Sequence, residues 1–225
     1  MRILGIDTST KYAGVAIVED DKLIAESTMQ FMATHSEKLL PEIAHILNTI
    51  KIPIETIDYY AITAGPGSFT GLRVAVSTVK GLSFVTQKKV IPISTLEVMA
   101  WEFPFCNHQI CPILDARKKE VFSALFKWKD NKILRIKEDS VSEIDNLIEL
   151  INEKTVFTGS GAELYREKLV EKLGSKAIFP PFLYSYPSPR IVAYIGFQKI
   201  NDAIDAKELQ PRYLRKSEAE IKVIE

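Results

Sequence analysis

Cysteine is scarce in this chain. Cys106 and Cys111 are the only two among 225 residues, and their C-x4-C spacing has no His or Cys nearby to complete a metal set. One pair cannot build the disulfide framework of a small secreted scaffold, so a reducing interior fits and a cytoplasmic location is expected. Histidine is equally thin. His35 and His45 lie ten apart on one helical stretch and His108 falls in a linker, so none share the i, i+4 spacing of a helical metal pair. Long apolar runs are missing too. No stretch approaches the about 20 residues of a membrane-spanning helix, and "MRILGIDTST" turns polar too soon for a signal peptide. Net charge is absent, because 29 basic residues balance 29 acidic ones. The field of the whole chain therefore gives no drive towards nucleic acid or a membrane surface. What remains is a chain with 46% apolar residues, enough for one large core or two small ones.

The order of elements is informative. "RILGID" (2–7), "YAGVAIVE" (12–19) and "KLIAEST" (22–28) read as strands, with a tight turn at Asp20 and Asp21. In "THSEKLLPEIAHILNTI" the residues Leu39, Leu40, Ile43, Ile46, Leu47 and Ile50 recur at helical spacing. Thr34 and Glu37 have capping-box spacing, Ser36 competes as N-cap, and Pro41 should disturb the start of the helix. A strand over 58–63, a helix from "AGPGSFTGLRV" to about residue 86, and a strand over 89–93 follow. The second half repeats the plan, with strands at 110–116, 120–128 and 132–139, a helix over 141–152, a strand-plus-turn at 154–162, a helix near 163–173 and a strand at 176–179. A helix over 191–200 closes the chain. Both halves open with an apolar strand ending in Asp (Asp7, Asp115), and both carry a later Gly-x-Gly turn before a helix, at Gly65 and Gly67 and at Gly159 and Gly161. Such repetition predicts an α/β fold of two similar lobes, 1–100 and 101–225, each a mixed sheet with flanking helices, meeting at a cleft.

Three stretches are candidate sites. "GIDTST" puts Asp7, Thr8 and Ser9 on the first hairpin turn, where backbone N–H groups could cradle phosphate and a carboxylate could hold magnesium through water. Plain turn chemistry explains the same residues. "AGPGSFTGLRV" places Ser68 as a helix cap after Gly-Pro-Gly, but no Lys-Ser/Thr pair follows, so the P-loop reading fails. Within that helix Gly71, Ala75, Thr78 and Gly81 fall on one stripe, which admits a close neighbour: either another protein's helix or this protein's own core. "PRYLRK" (211–216), with Lys118 and Lys119, is a basic stretch that reads as a direct RNA contact or as a docked C-terminal segment.

Taken in order, "GIDTS", "HSEKLLP", "AGPGSFTGLRV", "STLE", "LDARKKEVF" and "PRYLR" resemble the TsaB (YeaZ) family over essentially the whole chain. The resemblance implies a duplicated actin/Hsp70/sugar-kinase fold and a role in threonylcarbamoyl-adenosine (t6A) modification of tRNA. It also implies that TsaD, the catalytic paralogue, and TsaE, a small ATPase, are partners, with tRNA met only indirectly and a homodimer when the chain is alone. No cofactor is implied. TsaD carries a metal-binding His-x-x-x-His just after the strand equivalent to 89–93. In "ISTLEVMA" those positions hold Thr95 and Met99, a hydroxyl and a thioether that are poor ligands for a hard metal. A metallo-glycoprotease is rejected on that ground, and the expectation is a non-catalytic partner of TsaD. A free-standing ATPase or sugar kinase is the enzymatic alternative, with Asp7, Thr8, Ser9, Gly159 and Gly161 as a weak, vestigial nucleotide site. The expected partner surface is the pair of N-lobe helices, through Leu39, Ile43, Ile46, Leu47, Gly71, Ala75, Thr78 and Gly81.

Overall fold

The opening strand β1 (Arg2–Asp7) is apolar on both faces, with Ile3, Leu4 and Ile6 all inaccessible to solvent. A strand of this kind has to be covered on both sides, and the structure, a computed structural model describing residues 1–30 and 35–215 apart from the side chains of 35–37, supplies both covers. β1 pairs antiparallel with β2 (Tyr12–Glu19), which pairs antiparallel with β3 (Lys22–Gln30). On its other edge β1 runs parallel to β4 (Tyr59–Gly65), and β4 to β5 (Lys89–Ser94), giving the order β3-β2-β1-β4-β5. Leu4, Ile6, Val15 and Ile17 form a core with Leu39, Ile43, Ile46 and Leu47 of helix α1 (His35–Ile50) and with Ala75, Val76 and Val79 of helix α2 (Phe69–Thr86). Each Val, Leu or Ile among them, fully buried, contributes roughly 1.5–3 kcal/mol. Pro41 is accommodated inside α1, while Thr34 and the side chains of Ser36 and Glu37 lie outside the described residues.

A short helix α3 (Thr95–Trp101), which the strand-and-turn pattern does not predict, leads into the second sheet. There β6 (Gln109–Arg117) pairs antiparallel with β7 (Glu120–Lys129), which pairs antiparallel with β8 (Lys132–Glu143). β6 also runs parallel to β9 (Thr155–Thr158), and β9 to β10 (Ala177–Ile178). The order β8-β7-β6-β9-β10 reproduces that of the first sheet strand for strand. The helix expected over 141–152 is the shorter α4 (Ile144–Glu149), and α5 (Ser160–Leu164) with α6 (Arg166–Leu173) replace the one near 163–173. They close a second core around Cys111, Ile113, Val121, Phe157 and Leu169. The two duplicated mixed sheets with their helices are the expected fold.

The final helix α7 (Pro189–Gln198) belongs to the first sheet. It lies on the face opposite α1 and α2, and close approach is enforced by small residues. A Cβ on Gly5 would sit 2.4 Å from the carbonyl oxygen of Pro189, and one on Gly196 would sit 2.6 Å from the Cβ of Ala61. Beyond α7 the backbone exchanges hydrogen bonds between Ile204 and Val90 (2.9 and 3.0 Å), which covers the β5 edge. The compact units are therefore Met1–Val98 with Pro187–Arg212, and Met99–Tyr186 with residues 213–215. Residues 187–212 leave the second lobe, to which simple sequence order (101–225) assigns them. No described helix is long and apolar enough to cross a membrane.

Candidate functional site

The first hairpin turn is closed by its own chain. Asp7, Thr8 and Ser9 are each 1% exposed or less. The Thr8 hydroxyl donates to the Gly71 carbonyl (2.6 Å), and the Ser68 N–H donates to the Ser9 carbonyl (2.7 Å). The Ser68 hydroxyl in turn accepts from the Gly71 N–H (3.3 Å) as the N-cap of α2. A phosphate cradle needs N–H groups pointing into open space. Here the start of α2 is stitched onto the turn through the Thr8 hydroxyl and the Ser9 carbonyl, and the Ser9 N–H is taken by the Asp7 carboxylate.

Asp7 is the unusual member of this turn. Its Oδ1 accepts from the Ser9 hydroxyl (2.6 Å), the Thr63 hydroxyl (2.6 Å) and the Ser9 N–H (3.2 Å), whereas buried Oδ2 has no partner. Burial pushes the carboxyl up to about 6 from 3.8, against the opposing pull of those three donors. The native state thus keeps a proton that the unfolded chain releases, and the contribution of Asp7 to stability falls as pH rises from about 4 to about 6. A shift of about two pKa units corresponds to about 3 kcal/mol. In Asp7→Asn the drop in unfolding free energy between pH 4 and pH 7, measured by urea denaturation, should shrink by about that amount. An unchanged pH slope would mean that Asp7 is already ionised in the fold at pH 4.

The second Gly-x-Gly turn is also filled from within. Gly159 has a φ of 99°, and a Cβ there would meet the Ile113 carbonyl oxygen at 2.3 Å and the Met99 side chain at 2.8 Å. A Cβ on Gly161 would meet the Ile113 side chain at 2.5 Å. Both glycines serve the approach of α5 to β6. Thr95 and Met99 are each fully buried, and the Thr95 hydroxyl has no partner. Among the described residues no group of three or more His, Cys, Asp or Glu could hold a metal ion.

The expected partner surface divides. Leu39, Ile43, Ile46 and Leu47 are 2–7% exposed and face the core of their own unit. Ala75 is fully buried, and a Cβ on Gly71 would lie 1.9 Å from the Thr8 carbonyl oxygen. These six residues answer to this protein's own interior, because an apolar helix stripe that packs on a sheet cannot also be offered outward. The remaining two stand differently. Thr78 is half-buried, and Gly81 is exposed with nothing within 4 Å of a Cβ. One turn on, Phe84 is 80% exposed and Val85 77%, and on α1 Leu40 is 52% exposed. Phe84 and Val85 in "STVKGLSFVT" carried that signal, as apolar residues off phase with the buried set Val76, Val79 and Ser83.

The basic C-terminal stretch is docked where it is described. The Arg212 N–H donates to the Ala64 carbonyl (2.6 Å), and Arg215 donates to the Ala116 carbonyl (2.8 Å) and pairs with Glu120 (3.2 Å). Lys216 lies outside the described residues.

A family model described as TsaD, tRNA N6-adenosine threonylcarbamoyltransferase, matches residues 29–223. The chain is similar to the tRNA threonylcarbamoyladenosine biosynthesis protein TsaB of Bacillus subtilis, 30% identical over 228 residues that cover all of this chain and 99% of the relative. Among solved structures it is similar to YeaZ from Pseudomonas aeruginosa, with a TM-score of 0.79 and 23% identity over 95% of this chain and 99% of that one. The fold likeness extends to the ROK hexokinase of Thermus thermophilus, with a TM-score of 0.50 and 8% identity over 90% of this chain and all of that one. Motifs, duplicated sheets and full-length similarity agree: the chain belongs to the TsaB (YeaZ) family of tRNA threonylcarbamoyladenosine biosynthesis proteins.

Proposed function

We propose that this protein is a non-catalytic subunit of the t6A machinery, which binds TsaD and supports its transfer of threonylcarbamoyl from an activated AMP adduct to N6 of the adenosine beside the anticodon. TsaE is the third member of the assembly, tRNA is engaged through the complex, and the reaction takes place in the cytoplasm. The observation that carries this reading is the closed Asp7-Thr8-Ser9 turn. Where a sugar kinase of this fold would need an open phosphate site, Asp7, Thr8 and Ser9 are buried and α2 is hydrogen-bonded onto the turn. A chain that has filled such a turn with its own helix acts by contact.

The contact surface in this reading is the outer side of α1 and α2, through Leu40, Thr78, Gly81, Phe84 and Val85. Phe84 and Val85 present apolar area that a monomer gains nothing by exposing, and a Phe one turn from Gly81, where nothing lies within 4 Å of a Cβ, can enter a groove between a partner's helices. Without TsaD the same patch supports a symmetric dimer. The test is co-purification with the TsaD of the same organism, followed by a t6A assay with and without this chain. Modification should require the chain, and the chain alone should hydrolyse no ATP. Hydrolysis by the isolated protein that disappears in Asp7→Ala would establish the ATPase reading instead.

A further inference from the structure

The turn between β6 and β7 adopts a backbone that its residues do not favour. Arg117, Lys118 and Lys119 have φ values of 62°, 51° and 65°. One left-handed residue in a hairpin turn is ordinary, but three in succession without Gly, Asn or Asp is not. Glycine would take this path without steric penalty. Local strain of this sort is held where surroundings fix it and is concentrated at functional positions.

The surroundings do fix it. The Asp115 carboxylate accepts the Arg117 N–H (2.7 Å), and the Asp115 N–H donates to the Ser160 hydroxyl (3.2 Å). Arg215 donates to the Ala116 carbonyl (2.8 Å) and pairs with Glu120 (3.2 Å). Both acidic residues that flank the tip are thereby engaged at its base. The three cationic side chains are exposed, and none pairs with a described residue. The tip carries no apolar anchor of the kind that dominates protein–protein contacts, where Lys is depleted. Lys and Arg alone are what a sugar-phosphate backbone selects, with Arg gripping phosphate through two N–H groups and Lys acting as a point charge.

We propose that the Arg117-Lys118-Lys119 tip binds phosphate groups of the tRNA backbone, so that this subunit positions the RNA directly and without reading its sequence. The proposal rests on the t6A reading above and deepens it: within the complex that engages tRNA, this subunit supplies a phosphate contact of its own.

The test is Lys118→Gly combined with Lys119→Gly, compared with the parent chain both alone and in complex with the transferase. Binding of an unmodified tRNA transcript is measured at about 50 and about 200 mM salt. In the form that binds tRNA, affinity should fall about five- to tenfold at the lower salt, and the slope of log K against log salt should shrink by about 0.7–0.9 for each phosphate that the variant no longer neutralises. Thermal stability should hold or rise, because glycine suits the left-handed turn. Affinity within twofold of the parent overturns the proposal, as does failure of the parent to bind tRNA in either form. Retained tRNA affinity together with abolished transferase association would also overturn it, in favour of an acidic protein surface. If instead the parent does not associate with the transferase yet the double variant binds tRNA more weakly, the partner reading falls and the phosphate contact stands.

Discussion

Gly71→Ala should destabilise the N-terminal unit by about 3 kcal/mol or more, far beyond the helix propensity that alanine would add. The new Cβ would lie 1.9 Å from the Thr8 carbonyl oxygen, a backbone atom that cannot turn aside. Either α2 withdraws or the hairpin turn shifts, and each movement breaks the Thr8–Gly71 bond of 2.6 Å and the Ser68–Ser9 bond of 2.7 Å. Overpacking alone costs about 1–3 kcal/mol, and buried hydrogen bonds left unmade add to it. The substitution also threatens the satisfaction of Asp7, which hangs from the same turn. Urea unfolding followed by circular dichroism measures the effect. A loss below about 1 kcal/mol would mean that the turn yields easily and that its closure is incidental. Gly81→Ala is the internal comparison: with nothing within 4 Å of its Cβ, it should be neutral or stabilising, since alanine is the better helix former by about 1 kcal/mol.

Phe84→Asp should do the opposite, leaving stability alone and removing association. Phe84 is 80% exposed, so its loss takes nothing from the core, and surface changes of this kind stay within about 0.5 kcal/mol. At an interface a large aromatic anchor is worth about 2 kcal/mol or more, and a buried carboxylate without a partner adds a further penalty. The proposed binding to TsaD should weaken at least about thirtyfold, and any homodimer should dissociate further because the residue enters twice. Val85→Asp should act in the same direction. Sedimentation of the chain with and without TsaD reads both effects. Intact association in both variants would move the contact surface away from the end of α2.

Most of the secondary structure was legible. β1, β2 and α2 begin and end where apolar periodicity and the Ser68 cap place them. The duplication was legible too, because a strand ending in Asp and a later Gly-x-Gly turn recur in each half. Four features escaped, each for a physical reason. α3 is short and wholly apolar but for Thr95 and Glu97, so no periodicity separates it from a buried strand. α7 looks like the end of the second repeat, yet the side it packs on is decided by the match of Ala193 and Gly196 to Gly5 and Ala61, a contact across almost the whole chain. The stripe of Gly71 and Ala75 announced a close neighbour without saying which one. Spacing along a helix reports that a face is crowded, and only the tertiary fold reports by what. The left-handed tip at 117–119 was invisible for a related reason, since Arg-Lys-Lys gives no local warning of positive φ.

The pairing of α7 with the first sheet has a bearing on biogenesis. As the polypeptide leaves the ribosome, β1 to β5 emerge early, but the helix that covers their second face and the Ile204 segment that covers the β5 edge emerge only after residues 99–186. Until then the nascent N-terminal sheet presents one uncovered apolar face and one unpaired margin. Residues 99–186, most of the second unit, emerge in between. The first sheet is completed only by residues 187–212, made after the whole of 99–186.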